Sequence, residues 1–293
     1  MTTTSEPLPF FCLLPARRIV EIGGTDAATF LGDLVTGNVA ELTDGGANYA
    51  ALLSPQGKVL FDFILFRREG SYFADLPDAA ADAFITRVSL YKLRAKVDIQ
   101  DRGDLRIGVA WGGPSPHETY FSADPRAPGL GFRGPLAADE IPTPPLVRES
   151  RADDYHAHRI GRCVPEAPVD FAYGEVFPHD VALDQLKAVD FKKGCYIGQE
   201  VVSRMEHRGT GRRRIVSVQA DTRLPPPGAE VAAGGRPLGR LGSSVGQTGI
   251  AVVRLDRAGE AMRAGTDITA SDTIVRLTLP AWASYAWPVE DGA

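Results

Sequence analysis

An α+β fold with a small all-β barrel at its C-terminal end is predicted by three features of the sequence. Strand-like and helical segments alternate through residues 18–99 without the regular rhythm of a parallel βαβ sheet. Beyond Gly211 the segments become short, rich in β-formers and separated by turn residues, as in a barrel or sandwich. The chain of 293 residues, 44% apolar, exceeds the usual single-domain size and can bury a large core. A boundary is placed near residue 215, giving regions 1–215 and 216–293.

Taken in order, Arg18-Ile19-Val20-Glu21-Ile22-Gly23 reads as a short strand. Gly24-Thr25-Asp26 supplies a turn and N-cap for a helix with Ala27, Phe30, Leu31 and Leu34 at helical spacing. Tyr49–Leu53 and Lys58–Arg67 are strands joined by the tight turn Ser54-Pro55-Gln56-Gly57, and Tyr72–Asp75 is a third. Residues 78–93 carry Ala79, Phe84, Val88 and Tyr91 on a helical stripe that leads into Arg94–Ile99. Pro and Gly crowd residues 124–145, a loop-rich junction in which Leu130 and Phe132 can still pair as strand. Residues 150–161 return to a helical pattern ending at Gly161. Barrel strands are expected at Arg214–Val218, Glu230–Ala232, Gly249–Arg254 and Thr273–Leu277.

Composition excludes several function classes. The net charge of −5 argues against bulk electrostatic binding of nucleic acid. Cys12, Cys163 and Cys195 lie far apart, so no zinc ribbon, dithiol or disulfide framework is written, and a reducing compartment is expected. The N-terminal stretch MTTTSEPLPFFCLLPARR lacks a basic leader followed by a sustained apolar core, and no membrane span is read. A soluble, cytoplasmic protein is therefore expected, and a monomer is the expected state. There is no Gly-rich turn of dinucleotide or P-loop spacing, and the five histidines show no metal-ligand spacing.

The stretch that carries chemistry is Asp190–Arg204. Gly194 and Gly198 bracket Cys195, which follows Lys192 and Lys193 and precedes a helical stripe of Val201, Val202 and Met205. A thiol flanked by lysines near helix amides is expected to ionise readily; the competing reading is a buried, inert cysteine in a turn. Lys192, Lys193, Cys195, Gln199 and Glu200 could also hold an anionic ligand such as a glutamate tail or phosphate. The basic run Arg204, His207, Arg208, Arg212, Arg213 and Arg214 reads either as a solvated face or as a dock for an acidic protein, a polyglutamate tail or RNA. Asp180, in Phe177-Pro178-His179-Asp180, is either a turn residue or a carboxylate that accepts two N–H bonds from a pyrimidine edge.

Lys193-Gly194-Cys195-Tyr196-Ile197-Gly198-Gln199-Glu200 resembles the signature of the YgfZ family of folate-binding iron–sulfur cluster assembly and repair factors, relatives of the glycine-cleavage T-protein. The likeness extends to Gly24–Ala27 with Phe30-Leu31, Ser54–Lys58 running to Asp62, Tyr91–Val97, Phe177–Asp180 and Val201–Gly209, and is nearest the branch that includes the mitochondrial counterparts. It implies T-protein-like lobes around a central channel that holds tetrahydrofolate, plus the C-terminal barrel. Cys195 and Lys193 would be the family's key pair at the rim. Lys193, Asp180, Gln199, Glu200 and Arg94 are the candidates to bind folate, and Cys195 is the candidate metal ligand. Where the T-protein relatives show paired acids this chain has Phe61-Asp62, so the carboxylate that assists aminomethyl transfer is missing.

The leading expectation is a tetrahydrofolate-binding factor for assembly or repair of [4Fe–4S] proteins. The Cys195 thiolate would ligate or relay a transient cluster shared with an A-type carrier protein, on the way to client iron–sulfur enzymes. An assembly factor is favoured over an enzyme. The alternatives are a folate-dependent one-carbon transferase or demethylase acting on a small amine, and a cysteine hydrolase using Cys195 with His179 or His207 as base.

Overall fold

The computed structural model describes residues 7–209 and 211–288, so the first six residues of the N-terminal stretch lie outside it. The chain packs as two units that interleave in sequence. The first comprises the chain up to Leu53, Leu60–His156 and Leu186–Ile197; the second comprises Ser54–Val59, Ala157–Gln185 and the chain from Gly198 onward.

The first unit holds two five-stranded sheets. One runs, in spatial order, Ala47–Leu53, Val59–Arg68, Ser71–Pro77, Arg17–Gly23 and Asp98–Asp101. Arg17–Gly23 lies antiparallel to Ser71–Pro77 with Ile19 opposite Asp75, and to Asp98–Asp101 with Glu21 opposite Gln100. Helix α1 (Ala27–Leu34) buries Ala27, Phe30, Leu31 and Leu34, the stripe its sequence spacing predicts. Helix α2 (Asp78–Lys92) buries Ala80, Ala81, Phe84 and Val88, and the Phe84 ring lies T-shaped to those of Phe61 and Phe63 with centroids 5.5 and 5.1 Å apart.

The other sheet runs Arg148–Glu149, Phe10–Leu14, Arg106–Trp111, Phe132–Leu136 and Ser122–Ala123. Most of it was not expected. Phe132–Leu136 contains Gly134 and Pro135, which weaken a strand signal, yet it pairs along its length with Arg106–Trp111. Helix α3 (Ala152–Gly161) follows, so His156 and His158 sit on a helix.

In the second unit helix α4 (Gln199–Arg208) follows Gly198, and a seven-stranded antiparallel sheet follows α4. Its spatial order is Thr273–Ile274, Ile268–Ala270, Glu230–Ala233, Arg236–Val245, Thr248–Arg254, Arg213–Gln219 and Arg276–Thr278. The two edge strands are separated in the chain by Val275 alone, so the sheet must curl until its edges nearly meet. That makes it a nearly closed barrel, as expected. Val216, Val218, Val231, Leu241, Val253 and Ala270 fill its interior, and helix α5 (Leu255–Arg263) covers it with Leu255, Ala258 and Ala261. Among the described residues no helix is long and apolar enough to cross a membrane.

Candidate functional site

The Cys195 loop is built from its backbone outward. Thr36, fully buried just beyond α1, exchanges backbone bonds with Ala51 and Asp190, while its hydroxyl donates to Ala188 O at 2.6 Å and accepts from Ala51 N at 2.9 Å. One side chain thus ties residues 188–190 to the Ala47–Leu53 strand. Asp190 then turns the chain: its Oδ1 accepts from the amides of Lys192 and Lys193 at 2.7 and 3.2 Å, an Asx-type turn.

Lys193 does not reach toward the thiol's solvent side. Its Nζ donates to the carbonyls of Gly32, Val35 and Gly37 at 2.8, 2.6 and 2.9 Å, which accounts for all three ammonium protons. These oxygens lie in the last turn of α1 and just past it, where unpaired carbonyls and the helix dipole attract a cation. Burial pushes the ammonium down to about 8, opposed by the charges of Asp190 and Asp33. Tyr196, buried beside it with its ring centroid 5.4 Å from Nζ, is pushed up to about 12, mainly by burial.

With both ends held, Gly194 and Cys195 face solvent. The other two cysteines are buried: Cys12 is pushed up to about 12 by burial, and Cys163 is raised by the same cause. The thiol on display is therefore Cys195.

The two bracketing glycines differ from one another. Gly194 has no positive φ, and a Cβ there would meet nothing within 4 Å. Gly198, by contrast, sits at φ 81° as the N-cap of α4, a conformation that side chains resist. Gly57 in the hairpin turn lies at φ 78°, and a Cβ on it would come 2.9 Å from Val201 Cβ on α4. These two glycines, both in the second unit, carry the steric requirement.

The remaining candidates scatter. Arg94 is exposed and belongs to the first unit. It lines a cavity of about 440 Å³ with Asp26, Phe30, Asp33, Tyr91 and Lys92, along the helix whose end holds Lys193. Gln199 and Glu200 open α4 in the second unit, and exposed Glu200 pairs with Arg204 one turn on at 2.7 Å. The basic run is divided: Arg214 is held by Asp184, while His207, Arg208, Arg212 and Arg213 are exposed.

Asp180 lies in the short 3₁₀ turn Pro178–Val181, is 6% exposed, and accepts from Phe177 N at 2.9 Å. Burial raises its carboxyl above the ordinary range, against the Phe177 bond and the charges of Arg213, Lys58 and His179. A carboxyl raised on folding contributes fully below its unfolded value and loses that contribution as pH rises through the folded one. Asp180→Asn keeps the acceptor for Phe177 without the buried charge. The variant should be more stable than the wild type at pH 7 and nearly equal to it near pH ~3, as urea unfolding at the two pH values will report.

Phe61, 8% exposed, packs edge-on to Phe84, while neighbouring Asp62 accepts the Tyr49 hydroxyl at 2.6 Å. The position where the T-protein resemblance places an acid is thus part of an aromatic core. Sequence reading missed Thr36, whose pattern gives no hint of its bonds to residues 51, 188 and 190.

Residues 212–285 match the family described as CAF17, C-terminal beta-barrel domain. The chain is 33% identical over 238 residues to the "Iron-sulfur cluster assembly factor IBA57 homolog, mitochondrial" of Mycosarcoma maydis, covering 74% of this chain and 59% of that protein. It is 31% identical over 273 residues to the human "Iron-sulfur cluster assembly factor IBA57, mitochondrial", covering 82% and 76%. The match therefore spans less than two thirds of the fungal relative's length and about three quarters of the human one's. The fold is similar to that of glycine cleavage system aminomethyltransferase T from Bartonella henselae, with a TM-score of 0.73, 17% identity, and 94% and 85% of the two chains covered. The mitochondrial names overturn the cytoplasmic placement expected from composition. Cysteine usage separates reducing from oxidising compartments, and it does not separate one reducing compartment from another.

Proposed function

The chain belongs to the IBA57 family of iron–sulfur cluster assembly factors, and on that basis we propose that it works in iron–sulfur cluster assembly by presenting the Cys195 thiolate to a cluster shared with a carrier protein. The observation that carries this reading is the contrast among the three cysteines: two are buried, and the third stands exposed on a loop pinned at both ends. A thiolate is a natural iron ligand, and an exposed, positioned one can be met by a second protein. One cysteine cannot complete a cluster's coordination, so the partner supplies the other thiolates. An A-type carrier fits that requirement, and iron–sulfur enzymes are the clients downstream.

In this reading Lys193 positions the thiol and does not touch the cluster, because its three protons are committed to carbonyls. Its partners hold the loop while Gly194 and Cys195 stay exposed, so a docking protein can reach the sulfur. In the second unit, exposed Arg208, Arg212 and Arg213 are themselves suited to an acidic protein surface.

Tetrahydrofolate is the ligand that the YgfZ resemblance implies. Arg94, exposed beside Lys92 on its cavity, suits the anionic glutamate tail. Asp180 does not fit the pterin edge, since one of its oxygens is occupied by Phe177 N and the side chain is buried.

The one-carbon transferase reading loses support from Phe61, whose ring fills the core against Phe84 where that chemistry requires an acid. The likeness to aminomethyltransferase T concerns the fold. In a strain deleted for this protein, the wild-type gene should restore iron–sulfur enzyme activities under oxidative stress, and Cys195→Ser should not. Full restoration by Cys195→Ser would end the assignment of Cys195.

A further inference from the structure

Apart from the cysteine loop, a second group of ligating side chains comes together within the second unit. His179 on the 3₁₀ turn, Asp184 just after it, and Glu206 on α4 each offer one ligating atom, and these atoms all lie within 4.8 Å of one another. His179 Nε2 and Glu206 Oε2 are already 3.0 Å apart. Bonds of about 2.0–2.2 Å to one cation put neighbouring ligand atoms roughly 3–3.5 Å apart, so this pair stands at ligand spacing before any ion arrives.

We propose that His179, Asp184 and Glu206 form a binding site for a first-row divalent cation. The donor set is one imidazole nitrogen and two carboxylates, which suits zinc, iron(II) or manganese(II) and disfavours thiophilic copper(I). Charge agrees with the donors. The two carboxylates bring two negative charges, and Arg214, whose Nη1 lies 2.7 and 2.9 Å from the Asp184 oxygens, returns one positive charge. A divalent cation therefore enters a group that is net negative.

Arg214 does not occupy every acceptor. A carboxylate offers about four lone-pair positions. Arg214 bridges the two oxygens of Asp184, and Gln185 Nε2 takes Oδ2 at 2.9 Å. Oδ1 keeps a further lone pair for a metal, with Arg214 and Gln185 as the outer partners that fix the carboxylate's direction. On binding, the cation takes the place of the proton between His179 Nε2 and Glu206, and the ligating imidazole is neutral with its one N–H on Nδ1. His179 is 1% exposed and Glu206 is exposed, so water can complete the coordination from the Glu206 side. The ion would also staple α4 to the 3₁₀ turn.

This site is independent of the iron–sulfur reading, and the experiment keeps the two apart by using Cys195→Ser protein, untagged and stripped with a chelator. Cobalt(II) is titrated anaerobically and followed by visible absorption, then displaced with zinc(II). The expected result is one equivalent of cobalt(II) with ligand-field bands and no thiolate charge-transfer band. Glu206→Gln in the same background should weaken binding at least tenfold, as should His179→Gln. Because Glu206 is exposed, its variant folds even if the buried His179 variant does not. Absence of stoichiometric binding, or binding that Glu206→Gln leaves unchanged, overturns the proposal.

Discussion

Lys193→Met should destabilise the protein by about 2–3 kcal/mol, since charge-assisted hydrogen bonds contribute roughly 1.5–3 kcal/mol each and the cost of burying the ammonium offsets part of their sum. The carbonyls of Gly32, Val35 and Gly37 would lose their common donor in a half-buried place. Lys193→Arg should not rescue it. A planar guanidinium spreads its donors in a fork, whereas these carbonyls converge on one point. Urea unfolding measures the stability loss, and the rate of Cys195 alkylation measures the loop. Faster alkylation in Lys193→Met with an unchanged rate in Lys192→Met is the expected pattern, because Lys192 is exposed and its side chain has no role in the anchor. A Lys193→Met protein as stable as the wild type would remove Lys193 from its positioning role.

A larger loss is expected from Asp75→Asn, on the order of 3–5 kcal/mol, the usual cost of breaking a buried ion pair from one side. Asp75 is fully buried and receives Arg17 Nε at 2.6 Å and Arg133 Nε at 2.5 Å. Arg133, also fully buried, reaches on to the Tyr155 hydroxyl at 3.2 Å, which Arg126 meets at 2.9 Å while pairing with Asp124. The network joins the two sheets of the first unit, and an amide at position 75 leaves two guanidinium groups facing a neutral partner. The denaturation midpoint should fall with the slope unchanged. A loss under about 1 kcal/mol would mean that the network is not the link between the sheets.

These two cases mark where the sequence stopped being legible. Helix α1 begins and ends where its Asp26 turn and its Ala27, Phe30, Leu31, Leu34 stripe indicate, because a helix is local and its period is written in neighbouring residues. The hairpin at Ser54–Gly57 and the barrel strands were readable for the same reason. The strand Arg236–Val245 was not, since Pro237, Gly239 and Gly242 dilute its β signal and its pairing slips between Leu241 and Ser244. Helix α5 was hidden because it starts directly after a strand with no turn residue between them.

The site was legible as a motif and illegible as a geometry. Cys195 could be singled out from its neighbours, but which of the three cysteines faces solvent depends on packing. Lys193 reads as a free cation in sequence, yet its partners lie 156–161 residues earlier. Asp75 and Arg133 are 58 residues apart, and no local pattern joins them.

The most direct test of the account is anaerobic reconstitution of an iron–sulfur cluster on an A-type carrier in the presence of this protein, followed by visible absorption and gel filtration. The account predicts that wild-type protein co-elutes with the carrier and the cluster, and that Cys195→Ser leaves the cluster on the carrier alone. Co-elution of a cluster-bearing complex with Cys195→Ser, at the same yield as wild type, would contradict it.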